Sequence, residues 1–147
     1  MSLEIRPITA ADEAVWLPLW QGYQQFYKTE ISAQTSAITW QRFLDPDEPM
    51  HAAIAWLDNK PVGIVHWIYH RSCWTVGDYC YLQDLFVEQP LRGAGVGRKL
   101  IEHVYAQAQA AGASRVHWLT QETNTDAMQL YDRIADRSGF LQYRKLF

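Results

Sequence analysis

The sequence predicts a single α/β (α+β) domain, residues 1–147, in which helices pack on the faces of a mixed sheet. Three observations predict this class. Short segments alternate apolar and polar residues with the period of a strand, longer segments repeat apolar residues with the period of a helix, and a glycine-rich turn at residues 92–97 joins a strand to a helix. The elements follow in the order β-α-α-β-β-β-α-β-α-β, and the length suits one hydrophobic core.

The first half of the chain is predicted to contain a strand, two helices and two more strands. A strand over Leu3–Ile8 precedes a helix that begins at the capping-box-like pair Thr9 and Asp12. That helix runs to about Tyr27 and is bent or interrupted at Pro18. The following elements are a helix over residues 36–44 and strands over residues 51–57 and 62–70.

The second half adds three strands and two helices. A strand over residues 79–87 alternates its side chains, which puts Gln83 and Asp84 on opposite faces. Beyond the turn, helical spacing predicts a helix that ends at Gly112, with an inner stripe of Val96, Leu100, Val104, Ala108 and Ala111. The last elements are a strand over residues 116–120, a helix from Asn124 to Gly139 with the inner stripe Ala127, Leu130, Tyr131 and Ile134, and a final strand in residues 140–147.

Composition and charge limit the classes of ligand that this protein is expected to bind. The net charge of −3 argues against nucleic acid as a partner. Residues 1–90 contain five Lys or Arg and eleven Asp or Glu, or −6, whereas residues 91–147 contain eight and five, or +3. The first part would suit a cationic ligand and the second an anionic one; scattered surface charge is the alternative. No apolar run reaches the ~18 residues of a membrane span, so no membrane partner is expected. Two cysteines without zinc-finger spacing favour a reduced, cytoplasmic protein without a metal.

The stretch LFVEQPLRGAGVGRKL, residues 85–100, has the form of a phosphate-binding strand–turn–helix. Its glycines let the backbone approach an anion, and the amides at the helix start point towards it along the helix dipole. A P-loop needs Gly-Lys-Ser/Thr, but Arg98 follows Gly97. A dinucleotide fingerprint needs G-x-G-x-x-G and a later acidic residue, whereas this chain has G-x-G-x-G and Arg115 near the acidic position. The residues of the turn therefore match neither a P-loop nor a dinucleotide-binding fingerprint.

The pattern that fits is Arg92-x-x-Gly95-x-Gly97, which resembles the acyl-CoA turn of the GNAT superfamily of N-acetyltransferases. The resemblance covers residues 79–143. YLQDLFVEQPLRGAGVGRKLI resembles the family's fourth strand, turn and third helix, and VHWLTQETNTDAMQLYDRIADRSGFLQY its fifth strand, fourth helix and last strand. It is closest to the small diamine and polyamine acetyltransferases and the small fungal histone and amino-acid acetyltransferases. It implies a mostly antiparallel sheet with a splay between strands 4 and 5.

The resemblance implies acetyl-CoA as co-substrate, bound largely by the backbone. Pantetheine would lie along the strand over residues 79–87 like an added strand, and the pyrophosphate would meet the turn. The residues implied in this binding are Leu85, Phe86, Val87, Arg92, Gly93, Ala94, Gly95, Val96, Gly97, Arg98 and Asn124. For Asn124, capping of the following helix is an alternative role.

The implied reaction is direct attack of a neutral amine on the acetyl thioester. A strand amide near Leu85 or Phe86 would donate to the developing oxyanion. Tyr131 matches the tyrosine that serves the family as general acid for the thiolate, with core packing as its alternative.

The general base is the part that the sequence leaves open. In the polyamine enzymes a glutamate occupies the place of Gln83, and glutamine cannot accept a proton at neutral pH. Asp84 is the second catalytic candidate, although a structural acceptor is the favoured role because of its opposite face. Glu122, His117 or a chain of waters would serve as well.

The expected acceptor is a small primary amine, and the acidic first half of the chain favours a cation. Tyr23, Phe26 and Tyr27 could hold an ammonium group by cation–π contact and Glu30 by charge, with core packing as the alternative for the aromatic residues. The substrate-binding candidates are Tyr27, Glu30, Gln83 and Glu122. Two rival functions stay open: acetylation of a protein lysine or N-terminus, and a non-catalytic acyl-CoA sensor. The resemblance also suggests a homodimer.

Overall fold

One sheet of five strands runs through the molecule. The structure, a computed structural model, describes residues 2–147. The strands are β1 (Leu3–Pro7), β2 (Met50–Leu57), β3 (Lys60–His70), β4 (Tyr79–Val87) and β5 (Arg115–His117). They lie in the order β1-β2-β3-β4-β5, and all neighbours are antiparallel except β4 and β5, which are parallel. The predicted mixed, mostly antiparallel sheet is confirmed.

The helices are α1 (Glu13–Phe26), α2 (Ala33–Leu44), α3 (Val96–Ala110) and α4 (Thr125–Ile134). A 3-10 turn at Ala10–Asp12 leads into α1, and the predicted capping box is present there: the Thr9 amide donates to Oδ2 of Asp12 at 2.8 Å. Helix α1 continues through Pro18. None of the helices in residues 2–147 is long and apolar enough to cross a membrane.

The helices form a separate core on each face of the sheet. On the α3 face, helix α3 buries Val96, Leu100, Ile101, Val104 and Ala108 against β2, β3 and β4, and α4 packs Leu130, Tyr131 and Ile134 at the edge. On the α1/α2 face, four residues of the helices, Trp16, Leu19, Trp20 and Trp40, pack on Ile54 and Ile64 of the sheet. The predicted stripe of α3 is thus confirmed except for its last member, Ala111, which is exposed.

A β-bulge in β4 changes which face its side chains occupy. His66 of β3 pairs with Asp84, but the next residue, Trp67, pairs with Leu82, so that Gln83 is the extra residue. Simple alternation would put Asp84 on the same face as Leu82, which lies in the α3-face core. The bulge instead turns Asp84 to the α1/α2 face, where it meets His66.

Strands β4 and β5 pair over only three residues and then separate. The pairs are Tyr79 with Arg115, Cys80 with Val116 and Tyr81 with His117. From residue 82 to residue 87, the β5-facing edge of β4 has no ladder partner in residues 2–147. The predicted splay between strands 4 and 5 is confirmed. It also explains why β5 ends at His117 rather than at residue 120, because the backbone beyond has no strand to pair with.

The C-terminal segment differs from the prediction. Helix α4 ends at Ile134 instead of Gly139, and residues 140–147 form no strand, so the predicted final strand is wrong. A strand exists only where its backbone is paired, and the part of the chain that the structure describes offers this segment no pairing edge. Its apolar side chains are consequently exposed: Phe140, Leu141, Tyr143, Leu146 and Phe147.

Candidate active site

Two glycines shape the turn before α3. Gly93 has φ +87° and Gly95 has φ +86°, in the left-handed region that other residues rarely adopt. A Cβ atom at either position would meet no atom within 4 Å. The backbone angle, not lack of space, therefore requires glycine here, and the outer side of the turn is open.

The same turn presents unpaired amides at the start of α3. Gly95 is the N-cap residue and has no side chain with which to cap the helix. Within residues 2–147, nothing accepts a hydrogen bond from the amides of Gly93, Gly95, Val96, Gly97 and Arg98. The Ala94 amide is the exception, because it donates to the Leu91 carbonyl at 3.2 Å. Free amides at a helix N-terminus form an anion-binding site.

The two arginines of the turn have different surroundings. Arg98 is exposed beside the free amides and pairs loosely with Glu102, Nε to Oε2 at 3.7 Å. Arg92 folds back instead: its Nε donates to the Val87 carbonyl at 3.1 Å, and its guanidinium lies 4.4 Å from the centre of the Phe26 ring. Arg92 thus links the end of β4 to the end of α1 by a hydrogen bond and a cation–π contact.

A cavity of about 250 Å³ opens where β4 and β5 separate. Its principal side chains are Tyr23 of α1, Tyr27 directly after α1, Tyr81, Gln83 and Leu85 of β4, and Tyr131 of α4. Trp118, Leu119 and Thr120, which follow β5, line the other side. Of the predicted site residues, the fold therefore brings together Tyr27, Gln83, Leu85 and Tyr131.

Tyr131 carries a hydroxyl that stays protonated. Its ring packs edge-on against Trp118, with the ring centres 5.3 Å apart. Burial, assisted by the neighbouring Tyr27 hydroxyl, raises the pKa of Tyr131 to about 12. Tyr131 can consequently donate a proton or a hydrogen bond into the cavity throughout the neutral and mildly alkaline range.

Behind the cavity lies a buried chain of hydrogen bonds. The Trp16 indole Nε1 donates to Nε2 of His66 at 3.0 Å, and Nδ1 of His66 lies 2.9 Å from Oδ2 of Asp84. His66 is 2% exposed and Asp84 is 8% exposed. Tyr23 lines the cavity, and the charge of Asp84 contributes to the raised pKa of its hydroxyl.

The Trp16 bond fixes the tautomer of His66. An indole N–H can only donate, so Nε2 of His66 must accept and carries no proton. The imidazole proton is then on Nδ1 and is donated to Asp84. His66 is accordingly neutral in this arrangement, and Asp84 is the carboxylate acceptor at its end.

Three tyrosines surround this carboxylate on the cavity side. Burial raises the pKa of Tyr23, and the negative charge of Asp84 raises it further. Burial and the Asp84 charge also raise the pKa of Tyr27 and of Tyr81, although Arg92 opposes the effect at Tyr27. All three are half-buried and line the cavity, so its inner wall is a ring of protonated hydroxyls in front of a negative charge.

Other predicted site residues lie elsewhere. Glu30 lines a separate cleft between α1 and α2, and Glu122 is exposed in the turn before α4; neither lines the tyrosine cavity. Asn124 is the N-cap of α4, but its side chain makes no capping hydrogen bond and only its carbonyl accepts, from the Met128 amide at 3.1 Å. The predicted capping role of the Asn124 side chain is therefore wrong.

His117 belongs to a neighbouring cluster outside the cavity. Its Nε2 lies 3.3 Å from Nε2 of His70, and its ring stacks on Tyr81 with the ring centres 5.2 Å apart. Burial, with smaller contributions from His70 and Arg115, lowers the pKa of His117.

Sequence reasoning missed His66. A single histidine within the apolar run of β3 was a usable signal, since buried polar residues need partners. Its partner could not be found, because the β4 bulge that turns Asp84 towards it leaves no mark in the alternation of side chains.

Comparison with known proteins identifies the class. Residues 15–135 match the family model described as Acetyltransferase (GNAT) family. The chain is 34% identical over 143 residues to the D-amino-acid N-acetyltransferase HPA3 of Saccharomyces cerevisiae, covering 96% of this chain and 89% of that protein. It is 27% identical over 110 residues to the thialysine N-epsilon-acetyltransferase of Caenorhabditis elegans, covering 75% and 68% of the two chains.

Solved structures share the fold. A probable acetyltransferase superposes with a TM-score of 0.85 at 20% identity, over 100% of this chain and 98% of the other. AAC(6')-Iy, solved in complex with the bisubstrate analog CoA-S-monomethyl-acetylneamine, gives a TM-score of 0.81 at 18% identity over 100% of both chains. The family match and the curated relatives thus identify an N-acetyltransferase. The chain belongs to the GNAT family, as its resemblance predicted, and acetyl-CoA is the donor that enzymes of this family use.

Proposed function

We propose that this protein, as a single domain over residues 1–147, transfers the acetyl group of acetyl-CoA to the nitrogen of a small cationic amine or amino acid by direct attack. The observation that carries the proposal is the tyrosine-lined cavity where β4 and β5 separate. The relatives named for D-amino acids and thialysine agree with a small amine acceptor.

The residues of the glycine turn and of the unpaired edge of β4 are suited to bind acetyl-CoA. The free amides of Gly93, Gly95, Val96, Gly97 and Arg98 form a cradle for a pyrophosphate at the N-terminus of α3. The unpaired edge of β4 after Tyr81 offers backbone groups at Leu85, Phe86 and Val87 to an extended pantetheine chain. The Asn124 side chain, which caps nothing, is free for the same ligand.

The chemistry then needs three groups. When bound, acetyl-CoA supplies an activated carbonyl and a thiolate leaving group. A β4 amide near Leu85 or Phe86 donates to the carbonyl oxygen as it becomes negative. As the C–N bond forms and the C–S bond breaks, the Tyr131 hydroxyl gives its proton to the sulfur, and the protonated nitrogen of the intermediate restores it.

Size and charge favour a small acceptor. A cavity of about 250 Å³ is small for a peptide, and its inner wall of hydroxyls and aromatic rings suits one ammonium group. Gln83 lies on the exposed side of this wall and is suited to bind a polar part of the acceptor.

The deciding experiment is thiol release from acetyl-CoA by the purified protein across polyamines, D- and L-amino acids, thialysine, aminoglycosides and lysine peptides. We expect release with small amines and little with peptides. Preference for peptides would favour a protein acetyltransferase. Tight acetyl-CoA binding by calorimetry without turnover of any acceptor would favour the sensor.

We also propose that the protein is a cytoplasmic homodimer. Five apolar side chains in residues 140–147 are exposed, which is typical of a surface that another chain covers. Cys73 and Cys80 are free thiols, as a reduced compartment would keep them. Sedimentation of the full chain, compared with a chain shortened to residue 139, tests the dimer: we expect a dimer that becomes a monomer on shortening.

A further inference from the structure

A second cavity, the distal pocket, lies at the start of β4, where β4 and β5 are still paired. It has a volume of about 290 Å³ and is lined by Ser72, Cys73, Trp74, Tyr79, Arg115 and Phe140. Two of these residues, Tyr79 and Arg115, are ladder partners across β4 and β5. The pocket therefore holds a cationic side chain on the same two strands whose separation opens the tyrosine cavity.

The Arg115 guanidinium is held in place by aromatic residues and not by a carboxylate. Its Nη2 donates to the Tyr79 hydroxyl at 2.6 Å, and its Cζ lies 3.8 Å from the centre of the Tyr79 ring and 6.0 Å from that of Trp74. Within residues 2–147 Arg115 makes no ion pair, whereas nearby Arg71 pairs with Asp78 at 3.4 Å. A guanidinium has several N–H donors in a planar fork. The remaining donors of Arg115 are therefore suited to bind the carboxylate of a ligand.

A row of rings joins the distal pocket to the tyrosine cavity. Tyr81, which lines the tyrosine cavity, stacks on His117 with the ring centres 5.2 Å apart. The His117 ring centre lies 6.2 Å from that of Tyr79, which lines the distal pocket. Tyr79 and Tyr81 are two residues apart on β4, so they share a face of the sheet and are separated by about 7 Å along the strand. An extended ligand of this length can lie across the row with one end in each cavity.

The two cavities suit opposite charges. The residues that line the tyrosine cavity include no Lys, Arg or His, and the negative charge of Asp84 acts on three of its tyrosines. This cavity therefore favours an ammonium group and disfavours a carboxylate. The distal pocket offers the unpaired guanidinium of Arg115, which favours a carboxylate.

We infer that the acceptor is an amino acid whose reacting amine is separated from its carboxylate by a long chain, with the amine in the tyrosine cavity and the carboxylate on Arg115. A chain of six bonds between the nitrogen and the carboxyl carbon, as in 6-aminohexanoate or the side-chain amine of lysine, spans about 7.5 Å when extended. This length matches the separation of Tyr79 and Tyr81 along β4. An amino acid that reacts at its α-amine cannot place its two groups in the two cavities.

This inference rests on the proposed acetyltransferase activity and names the class of its acceptor. The first test measures thiol release from acetyl-CoA by the unaltered protein with 6-aminohexanoate and with hexylamine, which has the same chain without the carboxylate. We expect kcat/KM to be about 10- to 100-fold higher for 6-aminohexanoate, the effect of one charge-assisted hydrogen bond. The shorter 3-aminopropanoate spans only about 4 Å, so it should have no such advantage over propylamine.

The second test changes the guanidinium. Arg115→Met removes the charge and keeps much of the length of the side chain, and Arg71→Met is the matched control, because Arg71 is an exposed arginine that lines neither cavity. We expect Arg115→Met to abolish the preference for 6-aminohexanoate over hexylamine, mainly through a higher KM for 6-aminohexanoate. Arg71→Met should keep the preference of the unaltered protein. Circular dichroism and thermal unfolding accompany both variants.

Several outcomes would overturn the inference. Equal kcat/KM for 6-aminohexanoate and hexylamine would exclude the carboxylate subsite and leave the acetyltransferase activity standing, as would a preference for alanine over 6-aminohexanoate. Equal losses in Arg115→Met and Arg71→Met would mean that only the overall positive charge of this surface matters. If Arg115→Met fails to fold, the comparison of chain lengths with the unaltered protein decides alone. Failure of the unaltered protein to release thiol with any amine of the wider panel would instead overturn the proposed function, and the subsite with it.

Discussion

The two faces of the sheet differ in the hydrogen bonding of their buried polar side chains. On the α3 face, Trp67 Nε1 and His103 Nε2 are buried and have no hydrogen-bond partner in residues 2–147. On the α1/α2 face, every buried polar side chain is hydrogen-bonded: Gln24 to the Ile31 amide, Ser36 to Trp20, His66 to Trp16 and Asp84, and Asp84 to His66. Both cores stabilise by apolar contact, and the α1/α2 core also fixes the orientation of its buried polar groups.

The difference separates stability from chemistry. The apolar contacts of α3 do not require one particular orientation of each side chain, and they stabilise the fold in proportion to the apolar area that is buried. A fully bonded polar network contributes less net stability, but it holds each donor and acceptor in a single orientation. We therefore expect apolar substitutions on the α3 face to change mainly the free energy of unfolding, and substitutions of the hydrogen-bonded polar groups on the α1/α2 face to change mainly turnover.

The largest effect is expected from Leu100→Ala, in the middle of the α3 face. Leu100 is 0% exposed, so the change leaves a cavity and should lower the free energy of unfolding by about 2–5 kcal/mol. Urea unfolding measures the loss, and kcat well below the melting temperature should not change. The exposed Leu17→Ala should shift stability by only about 0.5 kcal/mol. A fall in kcat without loss of stability would contradict the separation.

Tyr131→Phe is the substitution most able to break the comparison, because α4 lies on the α3 face and yet supplies a hydroxyl to the cavity. Loss of the acid should lower kcat by about 10²-fold while unfolding changes little, since the ring is kept. Steady-state kinetics over a range of pH measures it. Full turnover with an unchanged pH profile would exclude Tyr131 as the general acid.

Gly95→Ala should have a smaller effect, through the backbone alone. Its φ of +86° is strained for alanine, at a cost of roughly 1–2 kcal/mol, and the KM for acetyl-CoA should rise as the turn relaxes. Gly97→Ala is the control, because its backbone is not left-handed and a Cβ there would only touch Val87 at 3.9 Å. Similar losses in both variants would show that space, not backbone angle, matters at the turn.

The smallest effect is expected on the pH dependence of the free energy of unfolding. Burial lowers the pKa of His103 on the α3 face, so below about pH 6.5 the unfolded chain binds a proton that the folded chain does not. Stability from this residue is present above that pH and decreases as the pH falls towards the lowered value. His103→Phe should make the free energy of unfolding less dependent on pH between about 7 and 5, as measured by urea titrations. An unchanged slope would mean that His103 is accessible to protons in the folded state.

Most of the fold could be predicted because its elements carry local signals. The stripe of α3 and the strand over residues 79–87 follow from periodicity, and the glycines at 93 and 95 follow from the turn that they make possible. The final strand could not be predicted correctly, because residues 140–147 alternate like a strand while pairing depends on an edge elsewhere in space.

Site residues could be predicted from the sequence where their expected function follows from the chemistry of the side chain. They could not be predicted where it depends on the position of the side chain in the fold. Tyr27, Gln83 and Tyr131 line one cavity, and their roles in binding and catalysis stay predictions. Glu30 and Glu122 do not, since charge alone says nothing about direction. The position of Asp84 depends on one extra residue in β4, which reverses its face relative to Leu82.

The separation of β4 and β5 has a consequence for how such a protein changes over generations. Past Tyr81 the sheet exposes main-chain groups, and a main-chain amide survives every substitution except one to proline. The tyrosine wall across the gap consists of side chains, each of which a single codon change can replace. Lineages that keep this sheet can therefore exchange one acceptor for another while inheriting the same edge.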